Sequence, residues 1–228
     1  MTYSYDGILY RRRSNYMAAI GFANKNDTRT HLVFPERITV THQDGTVQDF
    51  TVREIDTEAF RGSLNLREVV LSPQIEYVGQ FAFTGCLKLV KVLSQKSTIH
   101  RHILREAFRD CVALQEVRLE TPLDTVSQSA FENCFALKVF DAPIGLASKN
   151  SFKGCKELPR ICLDDNAQLF NNSIEESGIQ HLFFRGKTLP IPVGLSKWIK
   201  KHNVQLICMS DNSTICELAY NGFNVCVI

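Results

Sequence analysis

From Arg105 to Glu120 the chain reads REAFRDCVALQEVRLE, and its apolar positions recur at one spacing along most of the sequence. Ala107 and Phe108 are followed three residues later by Cys111, and Leu114, Val117 and Leu119 then give an L-x-x-V-x-L run. The same frame appears as TEAFRGSLNLREVVL (Thr57–Leu71) and FAFTGCLKLVKV (Phe81–Val92). It returns as SAFENCFALKVF (Ser129–Phe140), NSFKGCKELPRICL (Asn150–Leu163) and, eroded, NSIEESGIQHLFF (Asn172–Phe184). The aromatic falls at Phe60, Phe83, Phe108, Phe131 and Phe152, with Ile174 in its place at the end, in steps of 23, 25, 23, 21 and 22 residues. A second column, Ser63, Cys86, Cys111, Cys134, Cys155 and Ser177, keeps the same steps. This is a repeat protein.

A unit of this size cannot bury its own apolar side, so it must stack on its neighbours as a short strand plus a tight return. Leu66, Val69 and Leu71 point inward, as do their equivalents Leu114, Val117, Leu119 and Leu158, Ile161, Leu163. Ile55, Val78, Ile103 and Val126 close the coil from another side. In each return the Ala lets the chain bend closely and the Phe fills the space between coils. With strands 4.7–4.9 Å apart, six coils make a block roughly 25–30 Å long.

Residues 1–50 do not carry the repeat. Ile8–Arg12, Tyr16–Phe22 and His31–Phe34 read as strands, and Asp44-Gly45 between Arg37–Gln43 and Thr46–Val52 is a hairpin signal. The expected role is a β-rich cap over the first coil. Arg11-Arg12-Arg13 reads as a solvated edge strand guarded by charge rather than an anion patch. After Phe184, Pro190 and Pro192 stiffen a connection within Gly186–Gly194. Leu195–His202 predicts a short helix burying Leu195, Trp198 and Ile199, and Gln205–Met209 a strand. A second helix is expected from an Asn212 or Ser213 cap to Tyr220, and a last strand over Phe223–Ile228. One domain is expected over 1–228: an N-terminal β cap at 1–50, repeats at 51–185 and an α/β cap at 186–228.

The repeats resemble the BspA-like leucine-rich repeats of bacterial and protist proteins, whose pattern is roughly I-G-x-x-A-F-x-x-C-x-x-L-x-x-V-x-L-P. VGQFAFTGCLKLVKV fits it best, with Val78 and Gly79 at the I-G. The resemblance covers Val52–Phe184, and Leu32–Ile55 and Ser213–Ile228 look like the family's opening and closing segments. No I-G precedes Phe60, Phe108 or Phe131, and the sixth unit lacks both Phe and Cys. The resemblance implies an α/β, right-handed leucine-rich-repeat solenoid of about six 21–25-residue repeats between two caps. It also implies a surface protein that adheres to host or neighbouring-cell proteins.

Composition narrows the function. The 228 residues, 44% hydrophobic, can bury a sizeable core. A net charge of +2 argues against a nucleic-acid or anionic-membrane partner. No run of eighteen apolar residues predicts a transmembrane span. The first twenty residues lack the layout of a secretory signal, so the chain reads as cytosolic if Met1 is the native start, and otherwise as secreted or trimmed. Four of the eight cysteines share the repeat column, which favours packed free thiols over disulfides. No C-x-x-C occurs, and Cys216 and Cys226 are too far apart for a zinc knuckle.

Candidate chemistry is sparse. Phosphate-loop, dinucleotide, nucleophile-elbow and zincin motifs are absent, so no cofactor and no catalytic residue is expected. His100 and His102, in an insertion of the third repeat (Ser97–His102), share a strand face but lack further metal ligands nearby, which favours a surface bulge. Asp164-Asp165 reads as a solvated turn after the fifth strand. The sequons at Asn26, Asn171 and Asn212 carry little weight in a chain rich in Asn and Ser.

The informative surface is the strand face turned away from the core. Alternation puts two columns there: Glu68, Lys91, Glu116, Val139, Arg160, His181, and Val70, Leu93, Arg118, Asp141, Cys162, Phe183. Pairs such as Glu68 and Lys91 can simply stabilise adjacent strands. Exposed apolar groups among them equally suit a binding face. The expectation is a monomeric, non-enzymatic module that binds a protein partner of unknown identity across this face. An intracellular scaffold is the alternative, and an enzyme with an unrecognised site is the remote one.

Overall fold

The computed structural model describes residues 1–24, 26–184, 191–208, 219 and 221–227. The chain opens with β1 (Thr2–Tyr5), β2 (Ile8–Arg12) and β3 (Tyr16–Phe22) as an antiparallel meander, followed by β4 (His31–Val33). The β5 (Arg37–Thr41) and β6 (Val47–Ile55) hairpin turns at Asp44-Gly45, where His42 N–H donates to the Thr46 carbonyl. Coils then alternate between two sheets: β7 (Glu68–Leu71), β8 (Tyr77–Val78), β9 (Lys91–Ser94), β10 (Arg101–Ile103), β11 (Glu116–Leu119), β12 (Leu123–Val126), β13 (Val139–Asp141) and β14 (Ile144–Ala147). The end comprises β15 (Arg160–Leu169), β16 (His181–Phe184), α1 (Val193–Lys201), β17 (Gln205–Cys208) and β18 (Asn224–Val227).

The result is a β-solenoid of about seven turns with one short helix among the described residues. One sheet runs β1-β2-β3-β6-β8-β10-β12-β14-β15-β16-β17-β18, and the other β4-β7-β9-β11-β13. Residues 16–34, expected as cap, form a coil of their own. β3 pairs in parallel with β6, and β4 with β7, in the same positions as later coils. Their strands carry the ladder without the Ala-Phe-Cys return, so the repeat pattern does not mark them. β2 lies between β1 and β3, so the arginine run is not on an edge. Arg13 pairs with Asp56 at 2.9 Å and Glu54 at 3.5 Å, and Arg12 lies over the Phe50 ring.

The core sits between the sheets and the returns. Leu66, Val69, Leu71, Leu114, Val117, Leu119, Leu158, Ile161 and Leu163 are buried. Ile55, Val78, Ile103 and Val126 stand in register down the first sheet. Phe60, Phe83, Phe108, Phe131 and Phe152 stack with ring centroids 5.2–5.6 Å apart and nearly parallel planes. Phe22 and Phe34 meet the first ring edge-on.

Each return is tight because two residues around its Ala-Phe lie in the left-handed region. The first set is Glu58, Phe81, Glu106, Ser129, Asn150 and Asn172; the second is Gly62, Gly85, Asp110, Asn133, Gly154 and Glu176. That conformation costs an L-residue locally, and the ladder between returns holds it, as where Phe83 N–H donates to the Ala107 carbonyl at 2.8 Å. The cysteines join successive coils. Cys86, Cys111, Cys134 and Cys155 are buried and free, and each thiol donates to the Phe carbonyl of the preceding coil at 3.1–3.2 Å. Burial pushes the Cys111 and Cys134 thiols well up.

Two local expectations change. Asp164 and Asp165 lie inside β15, because that strand runs straight from the second-sheet position to the first without a corner. The insertion of the third repeat is not only a surface bulge: Arg101 within it is fully buried. At the far end α1 buries Leu195 and Ile199, with Lys200 and Lys201 in its last turn and Trp198 packed partly against the core. Pro190 and the second predicted helix, with Asn212, Ser213 and Cys216, lie outside the described residues. No helix among the described residues is long and apolar enough to cross a membrane.

Candidate strand-face interaction site

The second sheet turns one face to the core and the other to solvent. Glu68, Lys91, Glu116 and Val139 stand in register, as do Val70, Leu93, Arg118 and Asp141. β15 and β16 continue both columns in the other sheet, with Arg160 opposite His181 and Cys162 opposite Phe183. β17 extends them with Gln205 and Ile207. The structure thus brings the candidate residues onto one surface in two blocks: β7 to β13, and β15 to β17.

The first block has an apolar end and an ionic middle. Val33, 58% exposed, stands opposite Val70, which stands opposite Leu93. Val33 belongs to the strip but escaped the sequence reading, since its coil lacks the repeat motif. Further on, Lys91 pairs with Glu116 at 3.6 Å rather than with Glu68. Arg118 pairs with Glu116, and with Asp141 at 3.5 Å. The Arg118 guanidinium, helped by Lys91, holds the Glu116 carboxyl below its usual range. These charges are mutually satisfied and set the position of the side chains more than they add stability.

Between the blocks the surface opens. In the preceding coils two successive N–H groups share one carbonyl, the first of them the shorter bond: Val90 and Lys91 donate to Arg67, Gln115 and Glu116 to Val90, and Lys138 and Val139 to Gln115, at 2.7–3.2 Å. The next residue in that column is Pro159, which has no N–H. Its carbonyl still accepts from Gln180 at 2.9 Å, so the ladder resumes one coil later. β13 is the last strand of the second sheet, and β15 joins the first. Phe140 occupies the inward position held by Val69, Val92 and Val117, and meets Phe131 and Phe152 edge-on at 5.2 and 5.0 Å.

The opening is a cleft of about 890 Å³. Its walls include outward residues (Val139, Asp141, Arg160, Phe183) and inward ones (Phe140, Ile161), so it runs between strands. Arg160 lies over the Phe183 ring at 5.7 Å. Lys138, on the rim, pairs with Glu157 at 3.5 Å. Pro159 was legible as a sequence signal, since a proline in a ladder column removes a donor.

On the opposite sheet, His100 Nδ1 lies 2.6 Å from Asp124, His102 Nε2 lies 3.7 Å from the same carboxylate, and Tyr77 stacks on His102. Asp124 comes from the next coil. Among the described residues no group of three such ligands is arranged to hold a metal ion.

A family model described as the BspA type leucine rich repeat region, in six copies, matches residues 43–159 and 96–192. A search of the curated proteins finds no match. Solved structures share the fold. A leucine-rich repeat protein from Eubacterium ventriosum superposes with a TM-score of 0.56 at 18% identity, over 78% of this chain and 50% of that one. A leucine rich cell surface protein from Faecalibacterium prausnitzii gives 0.53 at 18%, over 85% and 57%. A leucine-rich repeat protein from Bacteroides ovatus gives 0.50 at 16%, over 99% and 76%. This chain therefore spans half of the length of the first and 57% of the second. With the family model running through the stacked Ala-Phe returns and most of the coils, the chain belongs to the BspA-type leucine-rich repeat family.

Proposed function

We propose that the chain is a non-enzymatic protein-binding module whose partner lies across the outward face of the second sheet and its continuation on β15 and β16. One observation carries this reading. Val33, Val70 and Leu93 form an apolar strip across three coils on the solvent side, where they do no packing for the core. The ion pairs beside it supply orientation and salt sensitivity. Repeat solenoids bind through such extended surfaces.

A role at the cell surface, in adhesion, is the finer form of the proposal. The description of the Faecalibacterium structure as a cell surface protein supports it. An intracellular scaffold is the second reading, favoured by the four buried free thiols, since reducing compartments keep cysteines in that state.

The test begins with a partner, captured in parallel from extracellular-matrix and cytosolic extracts. Charge-reversing or bulky changes at Val70, Leu93, Arg118 and Arg160 are expected to weaken binding and leave the melt unchanged. Loss of binding through changes in 1–30 or 191–227 alone, with the four positions silent, overturns the reading.

A further inference from the structure

We propose that the chain carries a second docking surface, an apolar stripe beside its returns, whose occupant is an amphipathic α-helix with one acidic flank. The stripe is separate from the outward strand face and does not depend on that reading.

The stripe is one column of the repeat. Leu64, Leu87, Val112 and Phe135 directly follow Ser63, Cys86, Cys111 and Cys134, and they are 72%, 52%, 37% and 44% exposed. Ladder bonds on both sides hold them in register. Before them, Gly62 N–H donates to the Thr84 carbonyl, Gly85 to Arg109 and Asp110 to Glu132. After them, Val90 donates to Arg67, Gln115 to Val90 and Lys138 to Gln115. The two ladders step together, so the four side chains stand side by side on consecutive coils. The fold does not need them there. The core is filled from two positions on, by Leu66, Leu89, Leu114 and Leu137, and the next coil carries exposed Lys156 in the same column.

The spacing selects a helix. The Phe rings of these coils repeat every 5.2–5.4 Å, and one turn of α-helix rises about 5.4 Å. A helix laid along the rod thus sets one apolar side chain against each coil, at i, i+4, i+7 and i+11. An extended segment advances about 6.4–6.8 Å between residues on one face, and falls out of step before the fourth coil. Beside Leu64 and Leu87, a Cβ on Gly62 or Gly85 would meet nothing within 4 Å, so a helix backbone has room to approach.

The charges select the flank. On the return side they are matched already: Arg61 pairs with Glu58, Arg109 pairs with Glu106 at 3.0 Å, and Glu132 adds to the negative field around Arg109. On the strand side Arg67 and Lys88 are exposed and make no ion pair among the described residues, and Lys138 pairs with Glu157 at 3.5 Å. Unpaired charge of one sign favours a partner of the opposite sign over a second copy of the chain. A single file of four side chains is also a small part of the about 800 Å² per partner that a standard interface buries.

A displayed library of random peptides of about 14 residues, four helical turns, selected on the whole chain, tests this. The enriched sequences are expected to repeat apolar residues with helical periodicity, to carry Asp or Glu on one flank and to lack a central proline. Synthetic versions are expected to gain helical circular dichroism when bound. They should lose at least about tenfold in affinity to Leu87→Asp and to the double variant Arg67→Glu, Lys88→Glu, with Leu64→Asp as a second apolar test at the most exposed of the four positions. Thermal melts of these variants are expected to match the natural chain. No binder, binders with two-residue periodicity, or binders indifferent to either the apolar or the charge changes overturn the proposal. Binders lost instead with Val70→Glu belong to the strand face, and overturn the stripe while leaving that reading standing. A dimer seen by gel filtration and abolished by Leu87→Asp overturns it in favour of a second copy.

Discussion

Arg101 Nη1 donates to the Ser94 hydroxyl across 2.6 Å, and both side chains are buried. Nε and Nη2 of the same guanidinium donate to the carbonyls of Ile75 at 2.9 Å and Ser72 at 3.1 Å. In register, Ser94 stands beside Leu71 and Leu119, and Arg101 beside Leu123. One coil has thus exchanged two leucines for a hydrogen-bonded polar pair, and burial pushes the guanidinium pKa down to about 10. Arg101→Ala takes the donor from the Ile75 carbonyl, while the Ser72 carbonyl keeps the Ile75 N–H and the Ser94 hydroxyl keeps its bond to the Gln95 carbonyl, so a loss of about 1–3 kcal/mol is expected in a denaturant melt. Arg101→Lys should recover only part, since an ammonium cannot reach three acceptors as the planar fork does. An unchanged midpoint for Arg101→Ala would show that the coil does not depend on this pair.

Phe108 lies between Phe83 and Phe131 in the aromatic stack and is fully buried. Phe108→Ala is expected to cost about 3–5 kcal/mol through the cavity it leaves. Glu116→Ala, on the solvent face, is expected to stay within about 1 kcal/mol. Comparable losses in paired melts would contradict the assignment of the two sides.

The Glu116 carboxyl is held low by Arg118, then by Lys91. Its folded pKa lies below its unfolded one, so the stability it adds is present above the unfolded carboxylate range and is lost as pH falls through the folded value. Melts of the natural chain and Glu116→Gln should differ slightly at neutral pH and converge in acid. A gap that widens in acid would reverse the sign.

Thiol titration should find Cys86, Cys111, Cys134 and Cys155 unreactive until denaturant is added, because each is buried and hydrogen-bonded to the coil before it. Fast native labelling of the four, or disulfides among them, would refute this. Cys111→Ser is expected to cost about 1 kcal/mol, since in the Ser63 position the hydroxyl bonds within its own coil instead, to the Phe60 carbonyl.

Ending the chain at Cys208 removes β18, which pairs with β17, and with it Phe223 and Val225, which pack partly on the core. The shortened protein is expected to aggregate or melt earlier, read by gel filtration and thermal denaturation. A monomer with an unchanged melt would make the tail an appendage.

The columns of Phe and Cys were legible because each residue type carries one packing duty in every coil. The register of His181 and Phe183 was legible from strand alternation once a one-residue shift was allowed. The coil at 16–34 was not, because it makes the same ladder without the motif. The left-handed pairs were half legible. Gly62, Gly85 and Gly154 announce such a position, but Phe81 and Glu106 adopt it only because the neighbouring returns hold them there. The two outward columns were placed from alternation, yet the cleft that divides them was missed. Its one sequence signal is Pro159, which cannot donate the N–H that Val90, Gln115 and Lys138 supply in that column.

That missing donor has a mechanical consequence. Everywhere from β7 to β13 a coil is clamped to its neighbour by two ladders, one in each sheet, and by the returns. Across Pro159 one of those two clamps is gone. Pulled along its long axis, the rod should therefore yield first at this seam, hinging open on the continuous sheet before any other coil peels away, and a force trace should begin with a break that separates the residues before Ala142 from those after Leu158.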